Sequence, residues 1–432
     1  MRYAILITDS ELFSNINSGI NVGGIFMKDA MIHIYEEMGV RQEDLIALKF
    51  EDLENYHGEK VILPICIHVP ISHGNGRIFK CSKDIIPVFL SLSLSSRDLK
   101  DYEIECLKKY SPVGCRDSQT YDTVKKYGIN AFIMGDIVLT TPGKGYGNKQ
   151  KSKVILSDVP LFAGNYLPNR IIRDGIYIKQ EILCSELPDG YSPIEYAKEI
   201  KDIYRYQAGL VITSRFHAAV LAMAYHIPYI VINEAYTFRF SWLKKFGNFY
   251  TRENIDSIDF NVKAKDYTSV IHMMETAAIM LLSRGDNKSL PERFVDIMEG
   301  LTDIYSYDRW NDVKPIDYYD GAIEHIGRLW NTNTTIYYSF WGINNNAEAI
   351  YEYIYCHFPN ACLFRVYDER RTVEFHGVKS VSPDLVSDNE FIFVTTFTAK
   401  GNAQKLFEKR SISSYYICER EYLSKQAYTV AG

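Results

Sequence analysis

The segment Gly209–Asn233, GLVITSRFHAAVLAMAYHIPYIVIN, sets Arg215 and His217 two residues apart where an apolar run ends. The run reads as a buried strand, Gly209–Thr213, and the residues after it as a helix, Arg215–Tyr225. Either Thr213 or Ser214 suits the cap of that helix. Arg215 and His217 then fall in its first turn, where the positive end of the helix dipole disfavours cations and favours anions. Cations at the carboxyl end of a parallel strand, where α/β folds keep their ligands, imply an anion shared by the guanidinium and the backbone N–H groups of the helix start. Ser214 joins that anion site. His217, with an ordinary pKa near ~6.5, can move a proton beside it. The plainer alternative is an arginine paired with a neighbouring carboxylate and a solvated histidine.

The same logic recurs upstream. Pro112-Val-Gly-Cys-Arg116-Asp117-Ser118 ends an apolar stretch just before a helix, Ser118–Tyr127, that Asp117 or Ser118 can cap. The alternative there is a surface pair of Arg116 with Asp117. Asn21, Gly23 and Gly24 lie in a long loop after the first strand and can offer N–H groups to a phosphate. His68 and His73 (in HVPISHGNG), Asp136, Glu234 and Arg239 are candidates for the acceptor side of the site. His226 stands at a helix end, where a cation suits the dipole and a capping role accounts for it. Gly143, Gly145 and Gly147 form no nucleotide-binding fingerprint and read as hinge or linker.

Such residues need rigid elements to hold them, and the chain supplies an alternating series. Tyr3–Thr8, Val61–Ile67, Val88–Ser93 and Ala131–Met134 read as strands. Ile25–Met38, closed by Gly39, and Ser118–Tyr127, closed by Gly128, read as helices. The polar, Gly- and Lys-rich stretch Pro142–Lys153 is the best linker. A second series adds the strand Val154–Leu156, a helix near Ser192–Tyr206, the strand Tyr229–Asn233 and an apolar helix, Tyr267–Leu282. After NTNTT at 331–335, Ile336–Phe340, a helix Asn345–Tyr355 and Cys362–Tyr367 form a βαβ unit, with Phe391–Thr395 and Tyr415–Cys418 as further strands. Its first turn lacks Gly-x-Gly-x-x-Gly, so packing or assembly is preferred there to dinucleotide binding. The fold class is α/β. Two Rossmann-like lobes, 1–150 and 151–330, flank a cleft, and 331–432 form a small Rossmann-like accessory domain.

The 432 residues are 47% hydrophobic and 24% charged, which excludes extended disorder. Lys and Arg total 48 against 54 Asp and Glu, and no basic block offsets the net charge of −6, which argues against nucleic-acid binding. Eight cysteines without CxxC spacing support neither a disulfide scaffold nor a zinc site, and reduced cytoplasmic thiols fit them. The opening MRYAILITDSELF lacks the apolar core of a signal peptide, and the longest apolar stretch, Ala218–Ile232, is too short for a bilayer. A soluble chain, free to touch a membrane surface peripherally, is the expectation. No metal-ligand cluster stands out.

SRFHAAVLAMAYHIPYIVI resembles the Ser-Arg-x-His-x-x-x-x-Ala signature of the polysaccharide pyruvyl transferase family. PVGCRDSQTYDTVKKYGINAFIMGDIVLT resembles that family's upstream Arg-Asp segment and the strand after it, and INSGINVGGIF its first Gly-rich loop. The resemblance covers about residues 1–300 and leaves the last hundred outside. Phe216 stands where Leu is common, and Ile25 where an acidic residue usually follows the second Gly. The resemblance implies a glycosyltransferase-B-like fold and transfer of pyruvate from phosphoenolpyruvate onto two hydroxyls of a sugar, forming a cyclic ketal. The setting it implies is bacterial capsular or exopolysaccharide synthesis, with a lipid-linked acceptor met in the cytoplasm at the inner membrane face. Position by position, Arg116 and Arg215 match arginines that hold the donor's phosphate and carboxylate, and His217 matches the general acid. Phosphoenolpyruvate is then a substrate, and neither cofactor nor metal is called for. Two alternatives stand beside this reading: a sugar-nucleotide glycosyltransferase on the same fold, and a non-catalytic scaffold of polysaccharide assembly acting through 331–432. Oligomeric state is left open.

Overall fold

The computed structural model describes residues 2–7, 19–69, 76–94, 98–143, 152–233, 240–285, 289–306, 320–330, 333–369, 372–418 and 422–424. The candidates His73, Glu234 and Arg239, and most of the Pro142–Lys153 linker, lie outside these residues.

Three larger, mainly parallel sheets succeed one another along the chain. The first is ordered Ile46–Lys49, Arg2–Ile7, Val61–Ile65, Ile85–Phe89, every pairing parallel. Val61–Ile65 and Ile85–Phe89 are buried along their whole length, as an apolar run covered on both faces must be. A short parallel pair, Val113–Cys115 with Ala131–Ile133, continues from it through a bridge between Leu92 and Cys115. The second sheet is ordered Ile176–Ile178, Lys153–Ser157, Ala208–Thr213, Tyr229–Ile232, Phe249–Tyr250, again all parallel. The third has six strands between Ile336 and Ile417 and is parallel except for the hairpin of Glu374–Phe375 with Val378–Val381.

Most expected elements fall within a residue or two of their observed bounds. Gly39 and Gly128 follow their helices at φ of 75° and 69°, the left-handed turn that glycine makes without a Cβ penalty. Three expectations shift. The apolar run after Pro87 is not one strand Val88–Ser93: Ile85–Phe89 ends, Ser91 turns at φ 55°, and Ser93–Leu94 starts a new strand. Asn21 closes a three-residue strand, Gly19–Asn21, that pairs antiparallel with Glu181–Leu183, so it does not lie in a loop. Gly23 and Gly24 open the helix Gly23–Glu37.

One apolar cluster runs from Ile5 and Ile62 of the first sheet through Ile25, Phe26 and Ile34 to Val211 and Val231 of the second. The helix Phe216–Ala224 lies at its centre, with every side chain buried except that of His217. At about 1.5–3 kcal/mol for each large apolar side chain fully removed from water, that packing fixes the helix firmly. The third sheet has apolar clusters of its own. Among the described residues no helix is long and apolar enough to cross a membrane.

Candidate functional site

The helix FHAAVLAMA is apolar all round, as a buried helix is, apart from one histidine in its first turn. Its start departs from expectation. Arg215 is the N-cap, in extended conformation at φ −93° and ψ 131°, and no side chain caps the helix. Thr213 Oγ1 instead accepts the N–H of Arg215 at 2.8 Å, and Ser214 Oγ donates to the carbonyl of Asp158 at 2.6 Å. Ser214 is buried and donates to that backbone, so it does not cap the helix.

His217 is held from two sides. Its Nε2 lies 3.5 Å from Asp136 Oδ2. On the other edge, a Cβ on Gly23 would stand 2.1 Å from His217 Nδ1, so only glycine lets the two elements meet. The imidazole thus bridges a buried carboxylate and the positive end of the helix Gly23–Glu37.

Register sets the carboxylate in place. Val113–Cys115 and Ala131–Ile133 pair with Cys115 opposite Ile133, so the residues just beyond their carboxyl ends, Arg116 and Asp136, come together. Gly135 makes the turn at φ 80°, where any side chain would strike the Tyr305 ring. Asp136 then caps a short 3-10 turn by accepting from Val138 N–H at 2.9 Å. Its Oδ2 lies 3.1 Å from Arg116 Nε. Burial pushes the Asp136 carboxyl up, but Arg116 and then His217 outweigh it and hold the group at about 2, below its ordinary 3.8.

Arg116 itself is only 1% exposed. Its Nη2 donates to Met27 Sδ at 3.2 Å, and the Nε–Oδ2 contact is close without being a directed hydrogen bond. Arg116 is thus enclosed against Asp136 and Met27, and no open surface meets its guanidinium among the described residues. The alternative pair with Asp117 is also absent, because Asp117 caps the helix Ser118–Lys125 and accepts from Thr120 and Ser93. His68 joins this edge, with Nδ1 3.1 Å from Ser93 Oγ.

Arg215 is built differently. Its Nε lies 2.7 Å from Asp158 Oδ2 and its Nη2 2.6 Å from Glu181 Oε2, and Nη2 also donates to Tyr422 OH at 2.7 Å. The side chain is 14% exposed, and Nη1 has no hydrogen-bond partner among the described residues. Burial pushes the Asp158 carboxyl up, against the pull of Arg215 and of the Gln180 N–H. Glu181 also receives Asn21 Nδ2 at 3.2 Å, while Asn21 Oδ1 accepts from Gly23 N–H at 3.0 Å. A continuous chain of contacts therefore runs Arg215, Glu181, Asn21, Gly23, His217, Asp136, Arg116, spanning both sheets.

Asp158, Glu181 and Tyr422 were not foreseen as members. Asp158 carried a usable signal, since it follows the strand Lys153–Ser157 at its carboxyl end as Arg116 follows its own strand. Chemically the arrangement offers a proton carrier beside a helix N-terminus, with a partly exposed guanidinium two residues before it in the chain.

The family model described as polysaccharide pyruvyl transferase matches residues 21–236, half of the chain. No curated protein matches. A solved structure of a functionally uncharacterised protein from Klebsiella pneumoniae subsp. pneumoniae NTUH-K2044 is similar at 17% identity, covering 54% of this chain and 82% of that one, with a TM-score of 0.34.

Proposed function

The chain belongs to the polysaccharide pyruvyl transferase family, and from that premise we propose that it moves pyruvate from phosphoenolpyruvate onto two hydroxyls of a sugar, as a cyclic ketal. A pyruvyltransferase role in polysaccharide synthesis is what the family match supports. The donor, the ketal, a lipid-linked acceptor at the cytoplasmic membrane face, a capsular product and the two-lobed glycosyltransferase-B-like arrangement are the finer parts of the reading.

The observation that carries it is His217, the lone polar side chain of a buried helix, set between Asp136 and the start of the Gly23–Glu37 helix. Ketal formation begins with a proton delivered to the donor's methylene carbon. The imidazolium gives that proton, and Asp136 orients the ring and stabilises its charged form, as a buried carboxylate does for a histidine it faces. A sugar hydroxyl then attacks the adjacent carbon and inorganic phosphate leaves. A second hydroxyl takes the same carbon, and the two hydroxyl protons pass to phosphate and solvent. Arg215 holds an anionic group of the donor through its outward Nη1 edge, and the N-terminus of Gly23–Glu37 supplies partial positive charge for another. Arg116 acts at one remove, by keeping Asp136 ionised.

The test is phosphate release from phosphoenolpyruvate by the purified chain across a panel of sugar and lipid-linked glycan acceptors. Release that depends on acceptor, with a product heavier by a pyruvyl ketal, is expected. Hexose transfer from a sugar nucleotide without pyruvyl product would overturn the proposal.

A further inference from the structure

The chain beyond residue 330 lies outside the matched residues, yet it reaches the site at two points. Its helix Phe397–Arg410 rests on the ribbon formed by Gly19–Asn21 and Glu181–Leu183. Phe397 Cδ1 sits 2.7 Å from where a Cβ on Gly19 would be, so glycine alone accommodates the ring. This ribbon carries Asn21 and Glu181.

The second point is the segment 422–424. Tyr422 bridges antiparallel to Pro160, and Leu423 N–H donates to the Val159 carbonyl at 2.8 Å. Leu423 is buried among Val159, Ala163, Leu167, Ile212 and Ile230, with Cδ2 2.9 Å from the place a Cβ on Gly164 would take. That anchor lies one residue from Asp158. Both carboxylates that grip Arg215 are thus braced by the C-terminal unit, and Tyr422 adds a third contact. Its hydroxyl accepts from Nη2, and its ring centroid lies 5.2 Å from the guanidinium carbon.

From this geometry we propose that Tyr422 is a positioning residue for Arg215, so that the helix Phe397–Arg410 and the segment 422–424 complete the donor site of the transferase. A guanidinium anchored at Nε and Nη2 has one edge left, and the orientation of that edge is fixed by what holds the other two. Two carboxylates already face one positive charge. A third would repel an anionic donor, whereas a phenol supplies an acceptor and a stacking face in place of another carboxylate. The proposal rests on the reading that Arg215 holds the donor.

The experiment uses the full chain with Tyr422→Phe, Arg215→Lys and the double variant. Tyr422→Phe keeps the ring and the Leu423 anchor, so its melting temperature should match wild type. Phosphoenolpyruvate titrated by calorimetry should bind roughly tenfold more weakly to it, in line with a lost hydrogen bond to a charged group, with donor KM rising far more than kcat falls. On the Arg215→Lys background, Tyr422→Phe should add little further loss, because the tyrosine acts through the arginine. Equal loss on both backgrounds, or wild-type affinity in Tyr422→Phe, overturns the proposal. A second readout separates this from the functional reading: phenylglyoxal modification of Arg215, followed by peptide mass, should be faster in Tyr422→Phe. Unchanged labelling overturns the positioning role. Faster labelling in a protein that binds no phosphoenolpyruvate leaves the positioning role standing and sinks the donor assignment instead.

Discussion

Arg116 and Arg215 occupy equivalent places, each just beyond the carboxyl end of a parallel strand and each facing a buried aspartate, yet their surroundings diverge. Arg116 is sealed in and faces one carboxylate, which it holds at about 2 with help from His217. Arg215 faces two carboxylates and a phenol, its partner Asp158 is pushed up by burial, and its side chain is 14% exposed. The same turn thus yields two devices. A dry arginine facing a single carboxylate fixes the charge of the residue behind His217, while a crowded, partly exposed guanidinium is suited to gripping what arrives from outside. A residue type at a strand end signals a site; its carboxylate partners decide the role.

The largest expected effect is at His217, the proposed proton donor. His217→Gln keeps a hydrogen-bond donor but cannot titrate, and kcat should fall by roughly 10²–10⁴-fold with donor affinity nearly unchanged. Near-normal turnover would reduce the histidine to a spacer. Gly23→Ala comes next. Its methyl must displace the imidazole, and a shift of about 1 Å at a reacting group can cost on the order of 10²-fold in kcat. A variant that turns over normally would show that the His217–Gly23 contact is not part of the working geometry. Arg215→Lys should act on the other device, raising donor KM strongly and kcat little, because an ammonium cannot reproduce the fork. A pure kcat effect would merge the two roles that the comparison separates.

The last contrast is one of stability rather than turnover, because the two aspartates titrate in opposite senses. Asp136 is held below 3.8, so its contribution to stability is present above about pH 4 and is lost as pH falls toward 2. Asp158 is raised, so its contribution is present below about pH 4 and is lost as pH rises through its folded value. The stability deficit of Asp136→Asn should therefore grow with rising pH, toward about 3–5 kcal/mol where Arg116 is left unpaired. That of Asp158→Asn should shrink. Melting curves from pH 2 to 8 decide, and parallel slopes would dissolve the distinction.

Much of this was open to reading in the amino-acid sequence, for physical reasons. Buried strands such as Ile85–Phe89 and Ala208–Thr213 are apolar runs, and the helix ends at Gly39 and Gly128 need a left-handed residue. The lone histidine in FHAAVLAMA is conspicuous because nothing else on that helix is polar. What escaped notice was pairing over distance. Tyr422 meets Arg215 across 207 positions, and no local pattern encodes that contact. The ribbon of Gly19–Asn21 with Glu181–Leu183 has three-residue strands, too short to show a period. The helix Phe397–Arg410, FTAKGNAQKLFEKR, carries too weak an apolar stripe to announce the face that rests on that ribbon. The carboxylate facing Arg116 was equally out of reach, because a strand-end arginine looks the same whether it faces a ligand or a buried aspartate.

The central claim is that His217 delivers a proton to the methylene carbon of phosphoenolpyruvate as the pyruvyl group passes to a sugar. Reaction in D2O of the full chain with phosphoenolpyruvate and an accepting glycan, with mass analysis of the product, tests it directly. The account predicts a pyruvyl ketal whose methyl group carries solvent-derived deuterium, and loss of that product in His217→Gln. A ketal with no deuterium in its methyl group, or undiminished labelled product from His217→Gln, would contradict it.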